Sequence, residues 1–155
     1  MLKGYGESSD AYHMSSPHPE GRGAADAMQQ ALISAALSKN DISYINLHGT
    51  ATPANDAAED KAITSVFDTT IPCSSTKGWT GHTLGAAGIT EALICSLILE
   101  HQFLPANLNL QNTDPSIGMH VLSANIKTEQ TIENVISNSF GFGGSNCSLI
   151  FGLQQ

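Results

Sequence analysis

The stretch Ser74-Ser75-Thr76-Lys77-Gly78-Trp79-Thr80-Gly81-His82-Thr83-Leu84-Gly85-Ala86-Ala87-Gly88 decides how the rest of the chain is interpreted. The apolar run that begins at Ile71 predicts a short β-strand that ends at Ser75. The Ala-, Leu- and Ile-rich run 85–99 predicts a long buried helix. Lys77 and His82 fall in the turn between them. The positive end of a helix disfavours an imidazolium, so we expect a neutral His82 that can donate a hydrogen bond to a developing oxyanion.

Strand and helix patterns alternate along the rest of the chain. Apolar residues at helical spacing predict helices over 24–37 and 53–67, and an alternating run rich in Ile and Tyr predicts a strand over 42–47. Two terminal apolar runs, 134–139 and 146–151, flank a glycine-rich tip and predict an antiparallel hairpin.

This order of elements predicts an α/β fold with a mixed, mainly parallel five-stranded sheet, flanked by helices and ending in the hairpin. Parallel sheets place reactive loops beyond the carboxyl ends of their strands. His48 follows one predicted strand, whereas Lys77 and His82 follow another. We therefore expect these three side chains to converge at one edge of the sheet.

Composition excludes several classes of protein. The 155 residues carry a formal net charge of -8 with six Lys and Arg, which argues against a nucleic-acid binder and leaves no broad basic surface. We see no targeting signal and no apolar run of about 18 residues, so we expect a cytoplasmic protein without a membrane segment. The three cysteines lack metal-type spacing, and we expect buried, reduced thiols at Cys73, Cys95 and Cys147.

Three motifs occur in order: His48-Gly49-Thr50-Ala51-Thr52; Ser-Thr-Lys at 75–77 with Gly-His-x-x-Gly-Ala-Ala-Gly at 81–88; and Asn138-Ser139-Phe140-Gly141-Phe142-Gly143-Gly144-Ser145-Asn146. With them the chain resembles the C-terminal half of the β-ketoacyl-acyl-carrier-protein synthase family, the elongating condensing enzymes with a thiolase-like fold. The resemblance implies that residues 1–155 form one C-terminal domain. It also implies that the N-terminal half, which carries the nucleophilic cysteine, is missing.

The resemblance implies four catalytic residues. His48 and His82 are the histidines that would hold the enolate oxygen when a malonyl thioester loses carbon dioxide, and Lys77 and Glu91 belong to the same network. The residues alone leave simpler interpretations open. A histidine at a strand end often caps a carbonyl, and a lysine paired with a glutamate inside an apolar helix can be purely structural.

The resemblance also implies a substrate-binding set. Thr50 and Thr52 would hydrogen-bond the pantetheine arm, and Phe142 would gate the acyl site, with Phe140 and Gly143 beside it. An acidic cluster at the start of the second helix has two interpretations, a bound cation or compensation of the helix dipole. The cluster comprises Asn55, Asp56 and Glu59.

The implied reaction is the decarboxylative Claisen condensation of malonyl-acyl carrier protein with an enzyme-bound acyl thioester, in fatty acid or polyketide and polyene synthesis. The alternative is a non-catalytic subunit that binds thioesters or sets chain length. The resemblance implies no resident metal or cofactor, since phosphopantetheine enters on the acyl carrier protein. It further implies a homodimer in the complete enzyme.

The chain departs from the family pattern in two respects. None of its three cysteines lies in a turn entering a helix, where a thiol becomes nucleophilic, so we expect the 155 residues alone to be inactive. Trp79 adds an aromatic ring beside the site, which we expect to alter substrate choice.

Overall fold

The structure is a computed structural model that describes residues 1–141 and 144–154. Its strands and α-helices, in chain order, are β1 (Leu2–Ser9), α1 (Arg22–Ala35), β2 (Tyr44–Asn46), α2 (Pro53–Val66), β3 (Pro72–Ser74), α3 (Lys77–Thr80), α4 (Ala87–His101), β4 (Phe103–Leu104), β5 (His120–Val121), β6 (Ile126–Lys127), β7 (Asn134–Phe140) and β8 (Ser145–Gly152). One-turn 3₁₀ helices lie at Lys39–Asp41 and Leu84–Ala86. The predicted helices and strands are confirmed, with boundaries that shift by a few residues.

The main sheet has the order β1-β8-β7-β2-β3-β5. Strand β8 is antiparallel to both of its neighbours, and the remaining pairs are parallel. The mixed, mainly parallel sheet and the terminal hairpin are therefore confirmed. The sheet has six strands rather than the expected five, because β5 adds to the edge of β3 through a two-residue pairing too short to show a pattern.

The sheet is covered on both faces. Successive residues of a strand point to opposite faces, and β7 shows this directly. Ile136 joins the cluster under α1 and α2, which includes Met28 and Ile63, whereas Val135 joins the cluster under α4 with Ile98. Full burial of such a side chain stabilises the fold by about 1.5–3 kcal/mol.

Small residues set the distance between α1 and the first strand. A Cβ added to Gly6 would lie 2.1 Å from the carbonyl oxygen of Ala27, and one added to Gly4 would lie 2.7 Å from that of Ala31. The helix backbone therefore rests directly on β1, and any larger residue at these two positions would separate the layers.

Helix α4 differs from the expectation of a wholly buried helix. Its inner face carries Cys95 and Ile98 against the sheet, but Ile89, Leu93 and Leu97, spaced by four residues, are 62%, 60% and 48% exposed. They form a continuous apolar surface, the α4 stripe. Because the helix is apolar on nearly every side, its sequence did not reveal which face the fold covers.

The segment containing α4 also corrects the expectation that no apolar run of this length occurs. Leu84–His101 spans 18 residues with a mean hydropathy of 1.3, enough by length and composition for a membrane span. The span is 33% buried, with Glu91 on its inner side and contacts to β7 and β8, and the core helix of a globular protein meets the same length and composition criteria.

We predict that the isolated chain associates through the α4 stripe, since exposed apolar patches of this kind mark interfaces. Light scattering should show oligomers at about 100 µM, and Ile89→Gln with Leu93→Gln and Leu97→Gln should return a monomer. The matched control is Ile33→Gln on α1, where a 79% exposed isoleucine stands alone. A monodisperse wild-type chain that binds no dye for apolar surface would contradict the prediction.

Candidate active site

His48 lies directly beyond β2 and is 7% exposed. Its backbone N–H donates to one carboxylate oxygen of Glu59 at 2.8 Å, and the N–H of Gly49 donates to the other at 2.8 Å. Glu59 lies on α2 and is itself buried. Each of the two carboxylate oxygens accepts one of two successive backbone N–H groups, so Glu59 fixes the direction in which the chain leaves β2.

Gly49 allows β3 to approach the same point. Its φ is +40°, and an added Cβ would lie 2.5 Å from the Cβ of Ser75. The Ser75 hydroxyl donates to the Gly49 carbonyl at 2.7 Å. The absence of a side chain at Gly49 thus allows the ends of β2 and β3 to lie close together.

Lys77 and Glu91 form a buried ion pair, as predicted from the sequence. Their side chains are 7% and 2% exposed. The Lys77 ammonium donates to Glu91 and to the carbonyl oxygen of His48. Burial raises the pKa of Glu91, and the hydrogen bond from Lys77 opposes that rise. The Lys77 ammonium thus joins the start of α3, the inner face of α4 and the end of β2.

His82 lies in the exposed loop between α3 and α4, and its ring reaches His48. The two ring centroids are 5.7 Å apart with the rings at 85° to each other. The backbone N–H of Leu84 donates to Nδ1 of His82 at 3.3 Å. Because Nδ1 accepts, the neutral ring carries its proton on Nε2, where it can serve as a donor.

The His48 ring is held in its neutral form. Burial, then the charge of Lys77 and then His82, lower its pKa from 6.5 to about 3. Its Nδ1 is buried and has no hydrogen-bond partner among residues 1–141 and 144–154. Phe140 covers another side of the ring at a centroid distance of 5.9 Å.

The structure brings His48, His82, Lys77, Glu91 and Phe140 together, as the motifs predicted. The predicted thioester-binding hydroxyls of Thr50 and Thr52 lie 3.0 Å from each other in the exposed stretch that follows His48. The predicted gate residue Phe142 and its neighbour Gly143 lie outside the described residues.

The acidic cluster at the start of α2 divides between two roles. The Asn55 amide donates to Asp56 at 3.1 Å, whereas Glu59 faces inward and binds the amides that follow β2. Desolvation raises the pKa of Glu59 to about 7, against the two amide hydrogen bonds that lower it. Sequence reasoning missed this role of Glu59, because acidic residues near the start of a helix are usually explained by the dipole alone.

Sequence reasoning also missed a link between the first loop and the hairpin. The Asp10 backbone N–H donates to the Gly144 carbonyl at 2.8 Å, and the Asn146 amide donates to the Asp10 carboxylate at 2.8 Å. The same carboxylate accepts the His18 N–H at 2.9 Å. The signal available was an aspartate placed just after a strand, a position where side chains commonly bind nearby amides.

The three cysteines lie where the sequence indicated. Cys73 is in β3, Cys95 in the middle of α4 and Cys147 in β8, and burial raises the pKa of each thiol, that of Cys95 to about 12. None is at a helix N-terminus. Burial therefore disfavours the thiolate form at each of these positions.

Residues 1–111 match the family of C-terminal domains of β-ketoacyl synthases. The chain belongs to this family. It is 44% identical to the mitochondrial 3-oxoacyl-[acyl-carrier-protein] synthase of Arabidopsis thaliana over 97% of its own length and 34% of the relative's. The chain thus spans about a third of the curated relatives it matches.

Solved structures agree with this assignment. The ketosynthase ApeO in complex with its chain length factor ApeC, from Xenorhabdus doucetiae, matches with 49% identity and a TM-score of 0.89, over 99% of this chain and 39% of the other. A type II polyketide synthase acyl carrier protein in complex with its hexaketide-bound ketosynthase matches with 30% identity and a TM-score of 0.92, over 99% and 38%. The fold is therefore that of the thiolase-like ketosynthases.

The low pKa of His48 predicts how stability depends on pH. An unfolded histidine takes up a proton near pH 6.5 whereas folded His48 does not, so the free energy of unfolding falls as pH drops below 6.5. Between pH 7 and pH 5 we expect a loss of about 2 kcal/mol relative to His48→Gln, measured by urea unfolding. The exposed His101→Gln provides the control and should follow the wild type. Parallel pH profiles for the wild type and His48→Gln would show that His48 protonates normally in the folded state.

Glu59→Gln tests the anchor of His48. A glutamine presents an NH₂ group to one of two amide donors, so one buried N–H loses its acceptor at a cost of about 1–3 kcal/mol. Urea unfolding at pH 8, with the exposed Glu100→Gln as the matched control, measures this loss. Equal stability of the Glu59→Gln and Glu100→Gln chains would mean that the carboxylate does not anchor the strand end.

Proposed function

We propose that the chain is the condensing half of a 3-oxoacyl-[acyl-carrier-protein] synthase, which joins malonyl-acyl carrier protein to an acyl thioester held on a cysteine in the rest of the enzyme. The observation that carries this proposal is the pairing of a buried neutral His48 with an exposed His82 at 5.7 Å, backed by the Lys77–Glu91 ion pair. A subunit without chemistry has no need for this arrangement.

The reaction needs stabilisation of negative charge on a thioester oxygen. When the malonyl C–C bond breaks, carbon dioxide leaves and its electron pair passes into an enolate. N–H groups of His48 and His82 would donate hydrogen bonds to the enolate oxygen and so stabilise its negative charge. The enolate carbon then attacks the acyl thioester, and the cysteine leaves as a thiolate that takes up one proton. Each oriented donor of this kind contributes about 10²–10³ in rate.

Lys77 keeps this site in its working state. Its ammonium holds the His48 carbonyl and adds to the effect of burial in lowering the imidazole pKa, while Glu91 neutralises the ammonium inside the protein. The charge of Lys77 therefore acts on the ring without adding a net charge to the site. Loss of either partner would leave the other buried and unpaired.

The proposal extends to substrates and partners. The pantetheine arm of an acyl carrier protein would pass Thr50 and Thr52, so no resident cofactor is needed, and Phe142 would gate the acyl site. The complete enzyme would act in the cytoplasm as a homodimer, or beside a chain length factor as in the ApeO–ApeC complex. Its product would enter fatty acid or polyketide synthesis, and neither nucleic acid nor a membrane takes part.

The second candidate is the chain-length-setting partner itself, a class found in complex with one of the similar ketosynthases. Such a subunit would bind thioesters without decarboxylating them. One assay separates the two candidates, namely release of carbon dioxide from malonyl-acyl carrier protein.

For the complete enzyme we expect His82→Ala to lower malonyl decarboxylation by about 100-fold or more, because one oxyanion donor is lost. Acylation of the cysteine should persist. His101→Ala, at the exposed end of the adjacent helix, is the control and should retain wild-type rates. Decarboxylation is measured with labelled malonate and acylation by mass spectrometry of the intact protein.

The outcomes decide between the candidates. No carbon dioxide release by the wild-type enzyme would favour the partner subunit. Loss of acylation with decarboxylation intact would reverse the role of His82. The isolated 155-residue chain should form no β-ketoacyl product, because its three thiols are not activated.

A further inference from the structure

The segment that carries His82 is weakly anchored. Helix α3 is a single turn, and isolated helices of that length are unstable. The loop after it contains Leu84 at φ +53°, an unfavourable conformation for leucine, and is exposed. Its position relative to His48 must therefore come from contacts with the rest of the chain.

Most hydrogen bonds of the segment 77–86 are local. They join residues no more than four positions apart, such as Gly81 N–H to the Lys77 carbonyl at 2.8 Å. Among the residues the structure describes, two side chains of the segment make long-range hydrogen bonds. One is Lys77, and the other is Trp79, whose indole N–H donates to the Ala106 carbonyl at 3.1 Å.

The acceptor of Trp79 lies in the short segment 106–108, which is itself held by hydrogen bonds and which we call the ledge. The Ala106 N–H donates to the Asn125 side chain at 2.7 Å, and the Asn107 N–H donates to the Leu122 carbonyl at 2.8 Å. The Asn107 side chain accepts the Ser75 N–H at 2.9 Å, which ties the ledge to the end of β3.

The contact between α3 and this ledge is close. A Cβ added to Gly78 would lie 3.1 Å from the Cβ of Leu108. Trp79 is 52% exposed, so burial of its ring stabilises this contact only in part.

We propose that Trp79 is a positioning residue that holds His82 at its distance from His48 through the indole N–H···Ala106 bond. The proposal rests on the function proposed above, since it gives His82 a reaction to serve. Lys77 fixes one point of α3, and Trp79 fixes the second. With the second anchor removed, the loop rotates about the first and the two imidazoles separate.

The first experiment tests the geometry without any turnover. Trp79 is the only tryptophan in the 155 residues, so biosynthetic incorporation of β-(3-benzothienyl)alanine replaces its N–H by sulfur and preserves the ring shape. The chain with Ile89→Gln, Leu93→Gln and Leu97→Gln provides a dispersed background. NMR measures the cross-peak between the His48 and His82 rings.

We expect that cross-peak to disappear in the sulfur analogue. The Tyr12–His18 contact, with ring centroids 5.0 Å apart, is the internal reference for a folded chain and should persist. An unchanged His48–His82 cross-peak would overturn the proposal, and so would the loss of both cross-peaks together, since that is unfolding rather than release of one loop.

The second experiment uses the complete enzyme and Trp79→Phe. Misplacement of a catalytic group by about 1 Å costs up to 10²-fold in rate, so we expect kcat for malonyl decarboxylation to fall about tenfold or more. KM and cysteine acylation should be unchanged. Tyr5→Phe is the matched aromatic control and should keep the wild-type rate, because Tyr5 is exposed on β1, the edge strand farthest from β2 and β3 on that side of the sheet.

An unaltered kcat, or an equal fall in acylation and decarboxylation, would overturn the positioning role. If the wild-type enzyme releases no carbon dioxide, the proposed function fails while the NMR result still decides whether Trp79 positions His82. The two failures are thereby distinguishable.

Discussion

The buried Lys77–Glu91 ion pair is the interaction on which the site depends. Charges removed from water are costly unless each finds a partner, and here the ammonium also binds the carbonyl of His48. Three elements that are distant in sequence thereby meet at one nitrogen: the turn after β3, helix α4 and the end of β2. A shift of any one of them would expose or unpair a buried charge, so the ion pair fixes the positions of the three elements relative to one another.

Burial, and then the same charge, determine what His48 can do. A buried imidazole beside an ammonium stays neutral across the physiological range, and a neutral ring is a donor that carries no competing charge. Glu59 completes the arrangement from the other side, where its carboxylate holds the amides of His48 and Gly49. Burial and Lys77 thus keep the ring neutral, whereas Glu59 fixes its position through the backbone.

Sequence reasoning found the ion pair because a lysine in a glycine-rich turn and a glutamate in an apolar helix each lack an alternative partner. It missed the role of Glu59, since an acidic residue at a helix start already has a sufficient explanation in the dipole. It also missed β5 and β6, whose two-residue strands show no periodicity. Tertiary contacts alone create such short pairings, and a local pattern cannot encode them.

The exposed α4 stripe and the exposed His82 belong to one stretch of chain, the loop and helix from Gly81 to His101. A partner surface that covers Ile89, seven residues after His82, would lie next to the start of this helix and the loop before it. Exclusion of water there strengthens any hydrogen bond from Nε2 to an oxyanion, because the interaction no longer competes with solvent. In the reaction proposed above, apolar burial on α4 would therefore strengthen the hydrogen bond that His82 donates, because the loop and the helix are joined by a short connection.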